Sequence, residues 1–136
     1  MKKIIVLTIL IIMCVSICAC NSSNNSTKKE NVYTVVCQDG TKEEMTYKEI
    51  AALGKNEVKL ESYLGLEISG IGGITSIDKT DNFNAEIEIG TLQIIVKNVP
   101  IEVAKTFDIG EKFDIKGKLV QIFGSIVYID GRGYYD

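Results

Sequence analysis

Apolar and polar positions divide the chain into three regimes. Residues 4–19 are almost wholly apolar, residues 21–30 carry no apolar side chain, and from residue 32 onward apolar positions return with the short periods of folded structure. Residues 32–37 form an apolar run and Gln38-Asp39-Gly40-Thr41 has turn composition, so the chain is expected to hairpin back through residues 41–45. The period then lengthens. Thr46-Tyr47-Lys48-Glu49 is a capping box, in which the Thr46 hydroxyl accepts from the amide at Glu49 and the Glu49 carboxylate reaches back to the amide of Thr46. Tyr47, Ile50, Ala51 and Leu53 continue as a helical stripe, and Gly54 is expected to end this short helix.

Beyond Leu60 the pattern is that of strands. In residues 66–77, Ile68, Ile71, Ile74 and Ile77 are interrupted by Gly70, Gly72 and Gly73, which suits a long strand that bends sharply and serves two sheets. A polar loop is expected at residues 78–84. Ala85, Ile87 and Ile89 then alternate with Glu86 and Glu88, and Gly90-Thr91 turns the chain into residues 92–99, completing a hairpin. Pro100 is expected at the first position of a short helical piece reaching Phe107, with Ile109-Gly110 as its end. Phe113, Ile115, Gly117, Leu119 and Val120-Gln121-Ile122 mark a fourth strand, Gly124 a turn, and residues 125–129 a fifth. The predicted fold class is mainly β. Five strands with a short helix before the first and another between the third and fourth is the plan of an OB-fold, the partly open Greek-key barrel.

The first thirty residues carry an address. Lys2 and Lys3 precede the apolar stretch, and small Ala19 stands before Cys20. Ile17-Cys18-Ala19-Cys20 resembles the lipobox of bacterial lipoprotein signal peptides, in which an aliphatic residue, a tolerant residue and Ala or Gly precede the cysteine that receives lipid. Cys14 and Cys18 fit less well, because bulky Met13 and Ile17 stand before them. The resemblance implies cleavage between Ala19 and Cys20, with diacylglyceryl attached to Cys20. An uncut transmembrane anchor is the competing reading, but a helix needs about 20 apolar residues to cross a bilayer and this stretch is shorter. Residues 1–19 are therefore expected to be signal peptide, 20–31 a tether too polar to fold, and 32–136 the domain it carries. The sequons at Asn21 and Asn24-Asn25-Ser26 are read as solvated linker.

The domain also resembles lipoproteins with a tRNA-anticodon-binding-like OB domain. Thr46-Tyr47-Lys48-Glu49-Ile50, Asn56-Glu57-Val58, Tyr63-Leu64-Gly65, Ile68-Ser69-Gly70-Ile71 and Gly110-Glu111-Lys112-Phe113-Asp114-Ile115-Lys116-Gly117-Lys118 carry that resemblance over residues 44–130. It implies a fold and a lipoprotein address and transfers no catalytic residue. Fold similarity does not establish function.

Composition narrows the partners. The full chain stands at −3, and removing Lys2 and Lys3 leaves 13 basic against 18 acidic side chains, near −5. That sign disfavours nucleic acid, whose binding relies on Lys and Arg displacing counterions from phosphate. The usual OB stacking platform is also lacking. With Ala85, Ile87 and Ile89 inward, Glu86 and Glu88 face outward beside Gln93 and Lys97, and Phe83 in the first loop is the nearest aromatic. Phe83, Glu86, Glu88, Gln93 and Lys97 are the expected ligand-facing residues, while Tyr134 and Tyr135 are expected to pack at the domain's edge. There is no His, and Cys37 is the only unmodified thiol of the mature chain, expected as a small buried hydrophobe.

Three fragments imitate chemistry. Ser76-Ile77-Asp78-Lys79 matches the S-x-x-K nucleophile pair, which needs a helix and S-D-N and K-T-G partners that do not follow. Asp78, Asp81, Asn82, Asn84 and Glu86 gather oxygen ligands without EF-hand spacing. Gly70-Ile71-Gly72-Gly73 precedes no helix that could hold a phosphate. No metal or cofactor is expected. The functional expectation is a membrane-anchored, noncatalytic OB module binding protein, peptide or glycan at the cell envelope. The alternative is an envelope hydrolase using Ser76 with Lys79, or the loop carboxylates.

Overall fold

A computed structural model describes residues 30–136. The expected signal peptide, the Ala19–Cys20 cleavage and lipidation site, and most of the tether lie outside the described residues. Residues Asn31–Asp136 form one compact unit that is mainly β. Its strands are β1 (Val32–Val36), β2 (Lys42–Thr46), β3 (Glu67–Lys79), β4 (Asn84–Ile89), β5 (Ile94–Pro100), β6 (Lys112–Phe123) and β7 (Ile126–Asp130). Three short helices accompany them: α1 (Tyr47–Ala52), α2 (Glu57–Glu61) and α3 (Ile101–Ala104). Among the described residues no helix is long and apolar enough to cross a membrane.

The strands form one sheet in the order β2-β1-β3-β4-β5-β7-β6, and β6 pairs back onto β3. Strands β3, β4, β5, β7 and β6 therefore make a closed ring of pairings. Within it β5 and β7 run parallel and every other pair is antiparallel. Closure depends on two long strands that change partners along their length. β3 gives Glu67–Gly73 to β6 and Ile74–Lys79 to β4, with a register shift between Ile74 and Ser76. β6 gives its first half to β3 and its second to β7, with a shift between Leu119 and Gln121. Bulges of this kind bend a strand, as a small ring requires.

The glycines mark the places where backbone is crowded. A Cβ on Gly70 would stand 2.3 Å from Tyr33 Cδ1, one on Gly72 2.2 Å from Ile89 Cγ2, and one on Gly117 2.3 Å from the backbone oxygen of Asp130. Strand alternation supplies the core. Ala85, Ile87 and Ile89 are buried while Glu86 and Glu88 are half-exposed, as their period of two requires. They meet Val96 and Val99 of β5, Phe113, Ile115 and Leu119 of β6, and Val127 and Ile129 of β7. Each large aliphatic side chain removed from water contributes about 1.5–3 kcal/mol.

The N-terminal hairpin forms as expected. Gly40 takes φ +83° at its tip, and the Asp39 carboxylate accepts from the Thr41 amide at 2.9 Å and its hydroxyl at 2.6 Å. The capping box is also present, with Glu49 N–H donating to Thr46 Oγ1 at 3.3 Å and Thr46 N–H to Glu49 Oε2 at 2.7 Å. α1 buries Ile50, and the following turn buries Leu53.

Several expected boundaries are displaced. Gly54 does not stop the helix: α1 ends at Ala52 and a 3-10 turn, Leu53–Lys55, runs through it. Its missing side chain serves packing, since a Cβ there would meet Ile122 Cγ2 at 2.7 Å. α2 ends one residue past Leu60 and is an element that the apolar pattern does not announce. Asn56 caps α2 by accepting from the Lys59 amide at 3.1 Å, yet α2 buries no residue and so shows no apolar stripe. The polar loop shrinks to a turn at residues 80–83, because Asp78 and Lys79 belong to β3 and Asn84 opens β4. Pro100 is the cap of α3 rather than its first residue, and α3 stops at Ala104. Phe107 lies beyond it and packs edge-on against Phe113 at 5.2 Å. Cys37 is half-buried beyond the end of β1, its amide donating to Thr41 O, so it is a hairpin residue rather than a core one.

The C-terminus packs against the ring's edge as expected. Tyr135 stacks on Phe113 at 5.2 Å, donates to Asp114 O at 3.0 Å and accepts from the Lys116 amide at 2.7 Å. Tyr134 donates to Glu67 Oε1 at 2.9 Å.

Two outcomes follow from this packing. Gly117→Ala drives a methyl into backbone that cannot yield, so urea unfolding should show a loss of about 1–3 kcal/mol. Gly73→Ala points into open space and should change stability by no more than about 0.5 kcal/mol. Burial raises the Tyr135 phenol above its ordinary value, partly opposed by the Lys116 amide. Its stabilising effect is complete below the unfolded phenol's value of about 10 and is lost as pH rises through the higher folded value. Between about pH 8 and about pH 11, Tyr135→Phe should therefore lose less of its urea midpoint than wild type.

Candidate functional site

The expected ligand-facing residues are spread along one outer surface of the ring. Glu86 and Glu88 project from β4 and Lys97 from β5, because their inward neighbours Ile87 and Val96 occupy the core. Lys97 Nζ stands 3.6 Å from Glu86 Oε1 and 5.7 Å from the centre of the Tyr128 ring. These three groups form one cluster. Glu88 is engaged elsewhere, accepting from Thr75 Oγ1 at 2.9 Å and from the Leu92 amide at 3.0 Å. The latter bond holds the β4–β5 turn, where Leu92 takes φ +54°.

Phe83 and Gln93 are not brought to this cluster or to each other. Phe83 is 78% exposed in the turn before β4, and Gln93 lies in the turn after it. A strand the length of β4 separates them by about 20 Å.

Sequence reasoning missed Tyr128. It reaches the surface through the parallel pairing of β5 with β7, which sets Ile95 opposite Tyr128, while β6 sets Gln121 opposite it on the other side. Glu88, Ile95, Tyr128 and Gln121 thus form one row across four strands. Phe123, 69% exposed and opposite Ile126, continues the same face. A signal was available: with Val127 and Ile129 inward, Tyr128 had to point outward.

The imitated motifs take ordinary forms. Ser76 and Lys79 lie on a strand three positions apart, which turns them to opposite faces. Ser76 Oγ donates to Asp78 Oδ2 at 2.7 Å, and Lys79 Nζ reaches Asn82 Oδ1 at 3.4 Å. The oxygen-rich turn is organised by Asp81. Its Oδ1 accepts from the amides of Phe83 and Asn84, both at 2.7 Å, and the Asn84 side chain adds contacts at 3.2 and 3.3 Å. Among the described residues, no group of three or more acidic, cysteine or histidine side chains is placed to hold a metal ion.

Concavities also open among the described residues. One, about 450 Å³, opens between the end of β3 and residues 105–109. Another, about 470 Å³, lies between α1 and the β6–β7 turn, where the Tyr47 hydroxyl donates to Ser125 O. No family model, curated protein or solved structure matches the chain.

The Phe83 amide, then the Asn84 side chain and amide, hold the Asp81 carboxyl below its ordinary value. A depressed folded value stabilises the fold above the unfolded value of 3.8 and loses that effect as pH falls through the folded one. Asp81→Asn should therefore flatten the acid limb of the stability profile below about pH 4, measured by urea midpoints. An unchanged acid limb would assign that limb to other carboxyls.

Proposed function

We propose that this chain is a membrane-anchored, noncatalytic OB-fold lipoprotein whose domain binds a protein, peptide or glycan at the bacterial cell envelope. The observation that carries the fold reading is the ring order β3-β4-β5-β7-β6 with its single parallel pair and a helix between β5 and β6. That order matches an OB-fold barrel in which β3 is the first strand and β7 the fifth. The address rests on Ile17-Cys18-Ala19-Cys20, where a diacylated Cys20 would gain about 0.8 kcal/mol per buried methylene and hold durably with two chains. The resemblance to lipoproteins with a tRNA-anticodon-binding-like domain agrees with both.

The binding reading is supported by the Glu86, Lys97 and Tyr128 cluster, an outward aromatic with charges of both signs beside it. Glu86 and Glu88 on the same face oppose a phosphate backbone, so nucleic acid stays disfavoured. Against the hydrolase alternative, Ser76 and Lys79 face apart, and of the loop carboxylates Asp81 is engaged by the Phe83 and Asn84 amides.

Labelled palmitate should enter the wild-type protein and be lost in Cys20→Ala; label retained in the variant would refute this anchor. In intact cells, cross-linking should capture an envelope partner whose yield falls at least severalfold in Tyr128→Ala. Equal capture by that variant would remove the Tyr128 face from the proposal.

A further inference from the structure

The ring is closed by pairing for most of β3, but not for all of it. The ladder between β3 and β6 covers Glu67–Gly73 and finishes with Ile74 N–H donating to Glu111 O at 2.9 Å and Gly110 N–H donating to Ile74 O at 2.8 Å. Past that point residues 105–109 diverge from the strand, and a wedge opens between them. Its walls and floor are Ile77, Ala85, Ile101, Ala104, Phe107 and Ile109. Along this side of the wedge β3 has no strand partner among the described residues, because residues 75–79 pair only with β4. Thr80 N–H donates to Asn84 O at 3.1 Å, so the alternation of an antiparallel ladder turns the backbone groups of Ile77 and Lys79 away from β4 and toward the wedge.

We propose that this wedge is a binding site for an extended peptide, which adds as a strand to the free edge of β3 and sets alternate apolar side chains against Ile77, Phe107 and Ile109. It rests on the binding-module reading above and places the ligand away from the Tyr128 face. Two features choose a peptide over other occupants. Ile77 and Lys79 together offer two N–H and two C=O groups, and an extended backbone complements all four, as in strand addition at an exposed sheet edge. An acyl chain would cover those groups without bonding them, leaving buried donors and acceptors unpaired. The second feature is charge. Lys79 lines the wedge, its amine reaches the neutral Asn82 amide oxygen at 3.4 Å and feels the Asp81 carboxylate at longer range, and it makes no ion pair within 4.0 Å among the described residues. Lys105 differs, being held by Glu102 at 2.9 Å. An acidic residue in the peptide complements Lys79, whereas Asp108 on the opposite wall discourages a uniformly acidic one.

The test uses the full chain in lipid nanodiscs, a capped peptide alternating valine and threonine with one aspartate, and twins N-methylated on odd or on even amides. Hydrogen exchange should slow at residues 77 and 79 when the parent peptide is added. One twin should bind at least about tenfold more weakly, since its methyl groups remove the two amide donors that face β3. Ile109→Arg, an exposed position, should weaken binding about as much, and Lys79→Glu should reverse the preference toward a peptide with lysine in place of aspartate. Twins that bind as well as the parent, protection confined to the outer face around Tyr128, or no protection by any peptide would each overturn the site. Protection of residues 75–79 by nanodisc lipid alone would overturn it in favour of an acyl ligand. Absence of palmitate label from the wild-type chain, or its retention in Cys20→Ala, with peptide binding intact would sink the anchor and leave this site standing.

Discussion

Everything else in the domain depends on backbone hydrogen bonding that returns to its own start. A sheet this small leaves two raw edges unless its last strand finds its first, and unpaired buried amides are too unfavourable to leave. β6 meets that requirement by pairing with β3 over Glu67–Gly73 while β3 still serves β4. Such sharing forces strands together more closely than side chains allow. The glycines at positions 72 and 117 are the solution, each replaced by a neighbour's atoms where its own Cβ would have been, while Gly70 makes room for Tyr33 of the hairpin. The apolar core fills the ring, but removal of a few side chains is what lets the ring exist.

This explains which parts of the fold could be read from the chain. Ala85, Ile87 and Ile89 against Glu86 and Glu88 give a strand and its buried face directly, because period two is a local property. Thr46 and Glu49 give a helix start for the same reason. Glycines are ambiguous: Gly40 makes a turn, as its φ of +83° requires, whereas Gly54 looked like a helix stop and instead makes room for Ile122. The difference lies in a neighbour 68 positions away, which no local pattern encodes. α2 was hidden because a single turn that sets only Leu60 against the core has no stripe to show.

The candidate site divides along the same line. Glu86 and Lys97 were identifiable as outward neighbours because β4 and β5 form a hairpin. The outward turn of Tyr128 was legible from Val127 and Ile129, but its place beside Lys97 was not, since β7 joins β5 in parallel after a crossover through α3 and β6. The wedge beside β3 is a still more distant product. It exists because the chain coming from α3 joins the β3 edge only at Gly110, a residue with φ +93°. Sequence offers the glycine; only the assembled ring shows what its late arrival leaves uncovered.

The hairpin of β1 and β2 stands outside the ring, and its attachment has a mechanical meaning. β1 meets β3 across three register pairs, whereas β6 grips β3 across seven. Tension drawn along the chain ahead of Val32 enters through β1 and loads those three pairs before it reaches the ring. The backbone pairs are only part of that attachment, because Tyr33 and Val35 carry the hairpin's other face into the same buried core as the ring.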